Sequence, residues 1–369
     1  MRGRLLAALQ RRRARADERR LLEAAGRSAP APGDTPRVFY GPARIPGADE
    51  VAYGGMVKFQ SLQGRFPNAP LDFNLVYLGS SSLPRDVASI VELARARGAP
   101  LLWNQNGVAY PAWAGDRTDA LNEPQRLGLH AADHVVYQTE FCKLSADRFL
   151  GERTGPWEIL PNPVDTKRFT PAATHTPGLV LVLGGTQYEH YRLTVALDTF
   201  AHVARERPEA RLLVTGKLSW SPDHAANRAE ALDHARRLGV ADRVELMGPY
   251  TQAEAPEMLR RGHVLLHTKV NDPCPSVVLE ALACGLPVVY SASGGVPELV
   301  GDGGIGVQSP LDWERIRPPA PEQLAEAVLA VAESWTTFAA AARARSERYD
   351  VSRWVERHAE LFGALLSGR

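Results

Sequence analysis

One short segment of the sequence holds residue types that bind charged ligands. It runs from Asp272 to Glu298, and Glu280 stands eight residues after Asp272. Two prolines prevent a helix from starting before Ser276, which is a good N-cap residue. Backbone N–H groups at the start of that helix could hold phosphate oxygens, and Glu280 could accept hydrogen bonds from ribose hydroxyls. The segment therefore predicts a site for the phosphates and ribose of a nucleotide.

A glycine turn farther along the same segment predicts a second group of donors. Gly294 and Gly295 follow a predicted strand at 287–290 and precede a short predicted helix at 296–300. Open α/β folds bind ligands at the carboxyl ends of their strands, so the N–H groups of this turn are also expected to face the phosphates.

An alternation of strands and helices must position these residues. Short continuous apolar runs, typical of buried parallel strands, occur in both halves of the chain. They predict strands at 37–40, 73–78, 100–103, 134–137 and 157–160, and then at 179–183, 211–215, 244–247, 264–267, 287–290 and 305–307. Helices are predicted between the later strands at 193–205, 225–238, 253–260 and 276–283. Repetition of strand and helix indicates an α/β fold with parallel sheets.

The composition fits two domains and disfavours several classes of protein. The chain has 369 residues, of which 44% are hydrophobic and 23% charged, and its net charge is +1. That is enough apolar material for two cores, without the basic excess of a nucleic-acid-binding protein. The three cysteines show neither disulfide nor zinc spacing. No apolar run reaches the roughly 18 residues of a transmembrane helix, and we expect a cytoplasmic location.

Residues 1–36 differ from this average. Nine arginines stand in residues 1–27 against three acidic residues, and several leucines could form a narrow apolar stripe. The segment could therefore be a basic helix that contacts anionic lipid at the inner face of the membrane. The alternative is a solvated or frayed leader, followed by a Pro/Ala-rich linker at 28–36. The thin apolar face favours this alternative.

Together these motifs resemble the donor site of retaining glycosyltransferases with the GT-B fold, in glycosyltransferase family 4 (glycosyl transferases group 1). That family shows E-x7-E, a small-residue helix, G-x-P-V-V and G-G-x-x-E. Here Asp272 stands for the first glutamate, Glu280 for the second, and Glu298 ends the last motif. Residues 160–171 are similar to the family's interdomain string. The helix around Trp354 resembles the family's last helix, which crosses back to the first domain.

The resemblance covers residues 37–366 and implies an architecture for them. The matching motifs are dense in the second half of the chain and sparse in the first. Two Rossmann-like domains would present parallel sheets to a central cleft, after a basic leader and linker at 1–36. The acceptor domain would hold residues 37–160, joined by a C-terminal helix at 350–369. The domain that binds the nucleotide-sugar donor would hold residues 161–349.

The resemblance also implies an activity. A hexosyltransferase-type enzyme would move a sugar from a nucleotide-sugar to a hydroxyl of a glycan or glycolipid, with retention of configuration, in polysaccharide or glycolipid biosynthesis. No metal cofactor is implied, and the leaving phosphate would act as the base. Asp272 would bind the transferred sugar and Glu280 the ribose. The other implied donor-site residues are Gly185, Lys217, Pro275, Ser276, Val277, Gly294 and Gly295, with Gly54 and Gly55 in the first domain.

One departure from the family's pattern concerns charge. Thr186 stands where the family has an arginine after the glycine turn, yet a diphosphate needs cations or a metal. The candidates are Arg192, Lys217 and Lys269, and Arg192 is preferred as a catalytic residue beside Asp272. Each lysine taken alone is more often a solvated loop residue.

A second departure lies in the first domain. Asn106 stands where the family often places a histidine. Its amide can bond a sugar hydroxyl but cannot transfer a proton, and we include it among the catalytic candidates in that limited role. Aromatic residues for an acceptor are present nearby, since Tyr110 and Trp113 could stack on a sugar or simply pack.

Two other functions fit the same sequence. A nucleotide-sugar epimerase of the same fold would change the donor without an acceptor, but the acidic spacing and the string at 160–171 favour a transferase. The other is a non-catalytic scaffold subunit that binds a sugar nucleotide, an alternative suggested by Thr186 and Asn106 because both depart from the family's pattern.

Overall fold

The strands pair in two separate sheets, one in each of two units. A computed structural model describes residues 2–30, 33–47, 50, 54–174 and 177–368, with side chains in the first helix at residue 13 and from residue 16 onward. The first unit consists of residues 1–160 and 353–369, and the second of residues 161–352.

The first sheet has five parallel strands in the order β1-β2-β3-β4-β5. They are β1 (Val38–Phe39), β2 (Leu75–Gly79), β3 (Leu101–Gln105), β4 (His134–Tyr137) and β5 (Trp157–Ile159). The helices of this part of the chain are α1 (Arg2–Arg27), α2 (Gly54–Gln60), α3 (Val87–Ala96), α4 (Pro111–Ala114), α5 (Thr118–Ala131) and α6 (Glu140–Leu150).

The second sheet has six parallel strands in the order β11-β10-β9-β6-β7-β8. They are β6 (Val180–Leu183), β7 (Arg211–Thr215), β8 (Val244–Gly248), β9 (Val264–His267), β10 (Val288–Ser291) and β11 (Gly304–Val307). The helices are α7 (His190–Glu206), α8 (His224–Arg237), α9 (Ala255–Arg260), α10 (Ser276–Ala283), α11 (Val296–Val300), α12 (Pro321–Glu333), α13 (Trp335–Ser346) and α14 (Val351–Ser367). The last of these begins in the second unit and continues in the first.

Helices cover both faces of each sheet. In the second unit, Leu181 and Leu183 pack with α7, α8 and α12, whereas Val180 and Val182 pack with α9, α10 and α11. In the first unit one face packs against α1, α3, α5 and α6, and the other against α2 and α14. Strands buried on both faces must be apolar at every position, which is why continuous runs rather than alternation identified them. The predicted α/β fold with two parallel sheets is confirmed.

The strand order of the second sheet defines a place for a ligand. From β6 the chain moves outward through β7 and β8, and then returns to the other side of β6 with β9, β10 and β11. The loops after β6 and β9 therefore diverge at their carboxyl ends. Open α/β sheets bind ligands at such a topological switch point.

The last turns of α1 pack into the core of the first unit. Ala25 is fully buried there, and two preceding leucines pack against the same cluster. The guanidinium of Arg97 donates to the carbonyl oxygens of Ala25 at 2.8 Å and Ser28 at 2.5 Å, and it lies 4.3 Å from the ring centre of Phe73. The preference for a solvated or frayed leader is therefore wrong for this part of α1.

The predicted lipid contact of residues 1–27 falls largely on side chains outside the described part of the chain. Among the residues that are described, no helix combines the length and apolar character needed to cross a bilayer.

Candidate functional site

The predicted donor-site residues of the second unit gather at the carboxyl edge of its sheet. A Cβ atom on Gly184, just after β6, would lie 2.5 Å from Cγ2 of Val277 in the first turn of α10. A Cβ atom on Gly216, just after β7, would lie 2.3 Å from the carbonyl oxygen of Gly185. These close approaches bring the loops after β6 and β7 and the start of α10 together at the switch point. Lys217 follows in the same loop, with an exposed side chain.

The main chain of Asp272 is held by the glycine turn after β10. The N–H of Gly295 donates to the carbonyl oxygen of Asp272 at 2.9 Å, and the N–H of Asn271 donates to Oγ of Ser293 at 3.0 Å. Asp272 and Gly294 form an isolated parallel bridge. The N–H of Gly295 was predicted to bind phosphate, and this is wrong because that donor is used inside the protein. The turn instead positions Asp272.

The carboxylate of Asp272 is buried and paired with two basic side chains. Its Oδ2 lies 3.0 Å from Nε2 of His267, and its Oδ1 lies 3.2 Å from Nζ of Lys269. Burial alone would raise the pKa of Asp272, but Lys269, His267 and Arg192 outweigh it and hold that pKa below its ordinary value. Asp272 is therefore ionised and fixed in place.

His267 is a neutral partner of this carboxylate. It ends β9, is 2% exposed, and burial lowers its pKa although Asp272 opposes this effect. A neutral ring that bonds a carboxylate through Nε2 must carry its proton there. The motif did not identify His267, although its position at the end of a strand five residues before Asp272 was a usable signal.

Arg192, the preferred phosphate ligand, is buried, and part of its guanidinium is already hydrogen-bonded within the protein. Its Nη1 donates to the carbonyl oxygen of Thr186 at 2.9 Å, while its Nε is buried and has no hydrogen-bond partner among the described residues. Glu189 lies in the same environment, where burial raises its pKa and Lys269 and Arg192 oppose that rise. The guanidinium therefore supports the loop after β6, and its Nε still has donor capacity for a ligand.

The start of α10 differs from the prediction in one detail. The N-cap is Pro275, with an extended backbone (ψ of 120°), and no side chain caps the helix. Ser276 is the first helical residue, because the fixed φ of proline suits the residue that precedes the first turn. The predicted cap by Ser276 is wrong, and the N–H groups of Ser276 and Val277 are left without a capping side chain.

Glu280 lies one turn into α10 and is bonded by a residue from another loop. Nε2 of Gln252 donates to its Oε1 at 3.2 Å. Burial raises the pKa of Glu280, and Gln252 and Arg168 oppose this effect. Tyr250, from the same loop after β8, bonds the main chain of Gly185 and the side chain of Thr215. No motif marks that loop in the sequence, so Gln252 and Tyr250 were not predicted.

The predicted residues of the first unit also come together. Gly54 begins α2, and a Cβ atom on Gly55 would lie 2.8 Å from the carbonyl oxygen of Ser81. The N–H of Asn106, just after β3, donates to Oγ of Ser80 at 2.9 Å, and its Oδ1 accepts from the N–H of the next residue at 2.8 Å. Gly55 and Asn106 thus share the loop after β2 as a common support at the carboxyl edge of the first sheet.

The chain is similar in sequence to known glycosyltransferases. Residues 177–334 match the family model of glycosyl transferases group 1. The chain is 32% identical over 236 residues to the D-inositol 3-phosphate glycosyltransferase of Streptosporangium roseum, covering 58% of this chain and 54% of that one. It is 23% identical over 212 residues to the phosphatidylinositol N-acetylglucosaminyltransferase gpi3 subunit of Schizosaccharomyces pombe, covering 57% and 43%. The chain thus spans about half the length of these relatives.

A solved structure shows the fold class. Anabaena HepE in complex with UDP-glucose superposes with a TM-score of 0.64 at 18% identity, covering 79% of each chain. The two Rossmann-like units and this likeness establish the GT-B fold. The matched family segment contains Asp272, Glu280 and the loops that surround them.

Proposed function

We propose that this protein is a retaining glycosyltransferase of family 4, which moves a sugar from a nucleotide-sugar to a hydroxyl. The observation that carries the proposal is the placement of Asp272 and Glu280 on either side of the start of α10, at the switch point of the second sheet. The match of residues 177–334 to glycosyl transferases group 1 supports it.

Each group of the site has a role in this reaction. The N–H groups of Ser276 and Val277, which no described side chain caps, receive phosphate oxygens at the helix start. Glu280, oriented by Gln252, accepts hydrogen bonds from the ribose. Asp272 accepts a hydrogen bond from the transferred sugar. Nearby positive charge stabilises the diphosphate as it leaves.

The leaving phosphate then takes the proton of the incoming hydroxyl, so the protein needs no base of its own. The side chain of Asn106 fits this mechanism, because its amide can hydrogen-bond a sugar hydroxyl but cannot transfer a proton. We also propose that the transfer reaction needs no metal ion.

The acceptor is a glycan or glycolipid hydroxyl. Two relatives are named for phosphatidylinositol and D-inositol 3-phosphate, so inositol compounds belong among the acceptors to test. We also propose that the protein acts in the cytoplasm at the inner face of the membrane, with lipid contact through residues 1–27.

The decisive experiment combines a panel of nucleotide-sugars with these acceptors and measures sugar transfer. Asp272→Asn should lower kcat/KM by about 10²-fold, the effect of losing a charged hydrogen-bond partner, without unfolding the protein. Asp302→Asn is the matched control, because Asp302 is exposed in the same unit. Equal activity of the two variants would show that Asp272 is not part of the donor site.

The same experiment separates the alternatives. An epimerase would alter the nucleotide-sugar without any acceptor. A scaffold subunit would bind the donor yet support neither transfer nor donor hydrolysis. The commitment of Arg192 to the main chain of Thr186 is the observation that favours the scaffold.

A further inference from the structure

Three basic residues near the carboxyl edge of the second sheet differ in what their charged groups contact. Lys217 is exposed, and the described residues include no ion pair for it. Arg192 is 6% exposed and bonds the main chain of Thr186. Lys269 has a side chain that is 30% exposed, and its ammonium pairs with Asp272. Of the three, only Lys269 is both accessible to a ligand and in contact with the central carboxylate.

The main chain around Lys269 is fixed on the first turn of α7. Oγ1 of Thr268 donates to the carbonyl oxygen of Arg192 at 2.7 Å, and the N–H of Val270 donates to the hydroxyl of Tyr191 at 3.1 Å. The loop after β9 is therefore anchored on both sides of Lys269. Its four-carbon side chain can still turn, because a lysine ammonium is a point charge on a flexible stem.

The two partners of Asp272 are unequal. His267 is 2% exposed and cannot leave without opening the core. Lys269 reaches Oδ1 from a partly exposed position. If Lys269 moves away, Asp272 still keeps the hydrogen bond from His267 at Oδ2. The positive charge of Arg192 also helps to hold the pKa of Asp272 down. With this charge and the His267 hydrogen bond, the carboxylate can release Lys269 without becoming a bare buried charge, which would be costly.

We propose that Lys269 is the cation that binds the donor diphosphate, and that it exchanges Oδ1 of Asp272 for a phosphate oxygen when the donor binds. This inference rests on the proposed function. Thr186 supplies no charge where an arginine was expected, and Lys269 supplies it from the other side of the switch point. A diphosphate carries more negative charge than one carboxylate, so it attracts the ammonium more strongly.

The exchange links two recognition events. Once Lys269 has moved, Oδ1 of Asp272 is free to accept a hydrogen bond from a hydroxyl of the transferred sugar. Sugar binding at Asp272 then depends on the diphosphate being in place. Lys269 thereby acts as a specificity-determining residue for nucleotide diphosphate donors.

The test is calorimetric binding of UDP, GDP and ADP and of the matching monophosphates to the full-length protein. The wild type should bind the diphosphate of one base more tightly than its monophosphate. Lys269→Met should reduce that preference by about ten- to hundredfold, the range expected for one charged hydrogen bond, with monophosphate affinity little changed. Lys167→Met, at an exposed lysine of the same unit outside the donor site, should keep the preference, and Lys269→Arg should keep most of it.

A second variant separates ligand binding from a structural role. Asp272→Asn removes the competitor for Lys269, so the diphosphate should bind as tightly as before or more tightly, while the sugar-bearing donor binds more weakly. The inference is overturned if Lys269→Met keeps the full diphosphate preference, or if it weakens both nucleotides equally. If the wild type binds none of these nucleotides, the proposed function fails and the inference falls with it.

Discussion

A Cβ atom on Gly294 would lie 2.5 Å from the main-chain oxygen of Asp272, and Gly294 has a φ of +82°. No other residue type fits both conditions, so Gly294→Ala should displace Asp272. We expect a cost of about 1–2 kcal/mol from the left-handed backbone, with a further loss from the clash. Binding of the nucleotide-sugar should weaken at the same time, and thermal unfolding together with calorimetry would measure both.

Gly239 offers a matched control for this change. It has a φ of +70° in the same unit, and nothing lies within 4 Å of its missing Cβ atom. Gly239→Ala should lose stability without any change in donor binding. Identical behaviour of the two alanine variants would show that Gly294 does not position Asp272.

Two helical glycines of the first unit should respond in opposite ways to alanine. A Cβ atom on Gly128 in α5 would lie 2.0 Å from the ring of the buried Trp103, whereas nothing lies within 4 Å of the corresponding atom on Gly363 in α14. Gly128→Ala should cost about 1–3 kcal/mol or more through overpacking. Gly363→Ala should stabilise by up to about 1 kcal/mol through helix propensity. Denaturant unfolding would measure both, and a stable Gly128→Ala protein would contradict the packing.

His358 joins α14 to the first sheet through a buried network. Its Nε2 lies 2.8 Å from the hydroxyl of Tyr77, which accepts from Nδ2 of Asn104 at 3.0 Å. Its Nδ1 lies 2.8 Å from the carbonyl oxygen of Trp354. Burial lowers the pKa of His358 to about 3. The neutral ring therefore donates through Nδ1 and accepts the Tyr77 proton at Nε2.

This lowered pKa predicts a loss of stability in acid. The unfolded chain protonates His358 below its ordinary pKa of 6.5, while the folded protein does not until the pH approaches 3. The contribution of neutral His358 to the free energy of unfolding is therefore complete above pH 6.5. Below pH 6.5 it falls by up to about 1.4 kcal/mol per pH unit. The free energy of unfolding, measured between pH 7 and pH 4.5, should fall more steeply for the wild type than for His358→Gln. Parallel slopes would rule out a buried neutral histidine.

Arg97 should control the attachment of α1. Its guanidinium donates to the carbonyl oxygens of Ala25 and Ser28, and without Arg97 these partly buried acceptors lose that donor. Arg97→Met should cost about 1–3 kcal/mol and increase hydrogen exchange in residues 18–30. Arg95→Met, an exposed change in the last turn of α3 just before Arg97, should alter neither. Unchanged exchange in both variants would show that α1 is attached by other contacts.

The regular elements could be read from the sequence with good accuracy. The strands at 134–137, 211–215 and 264–267 and the helices at 276–283 and 296–300 have the predicted bounds. Buried parallel strands are apolar throughout, and glycine or proline marks their ends, so both signals are local. The cap of α10 was missed because two adjacent residues, Pro275 and Ser276, both suit a helix start.

The sequence by itself determined the α/β fold, the order of its elements and the placement of Asp272 and Glu280 around the start of α10. These follow from apolar runs and from residues a few positions apart. Only the tertiary structure decided which side chains meet those acids. Gln252 reaches Glu280 from the loop after β8, and His267 and Lys269 turn toward Asp272 because the glycine turn after β10 holds that loop in place. It also buried Arg192, since packing between loops distant in sequence sets which charges remain available to a ligand.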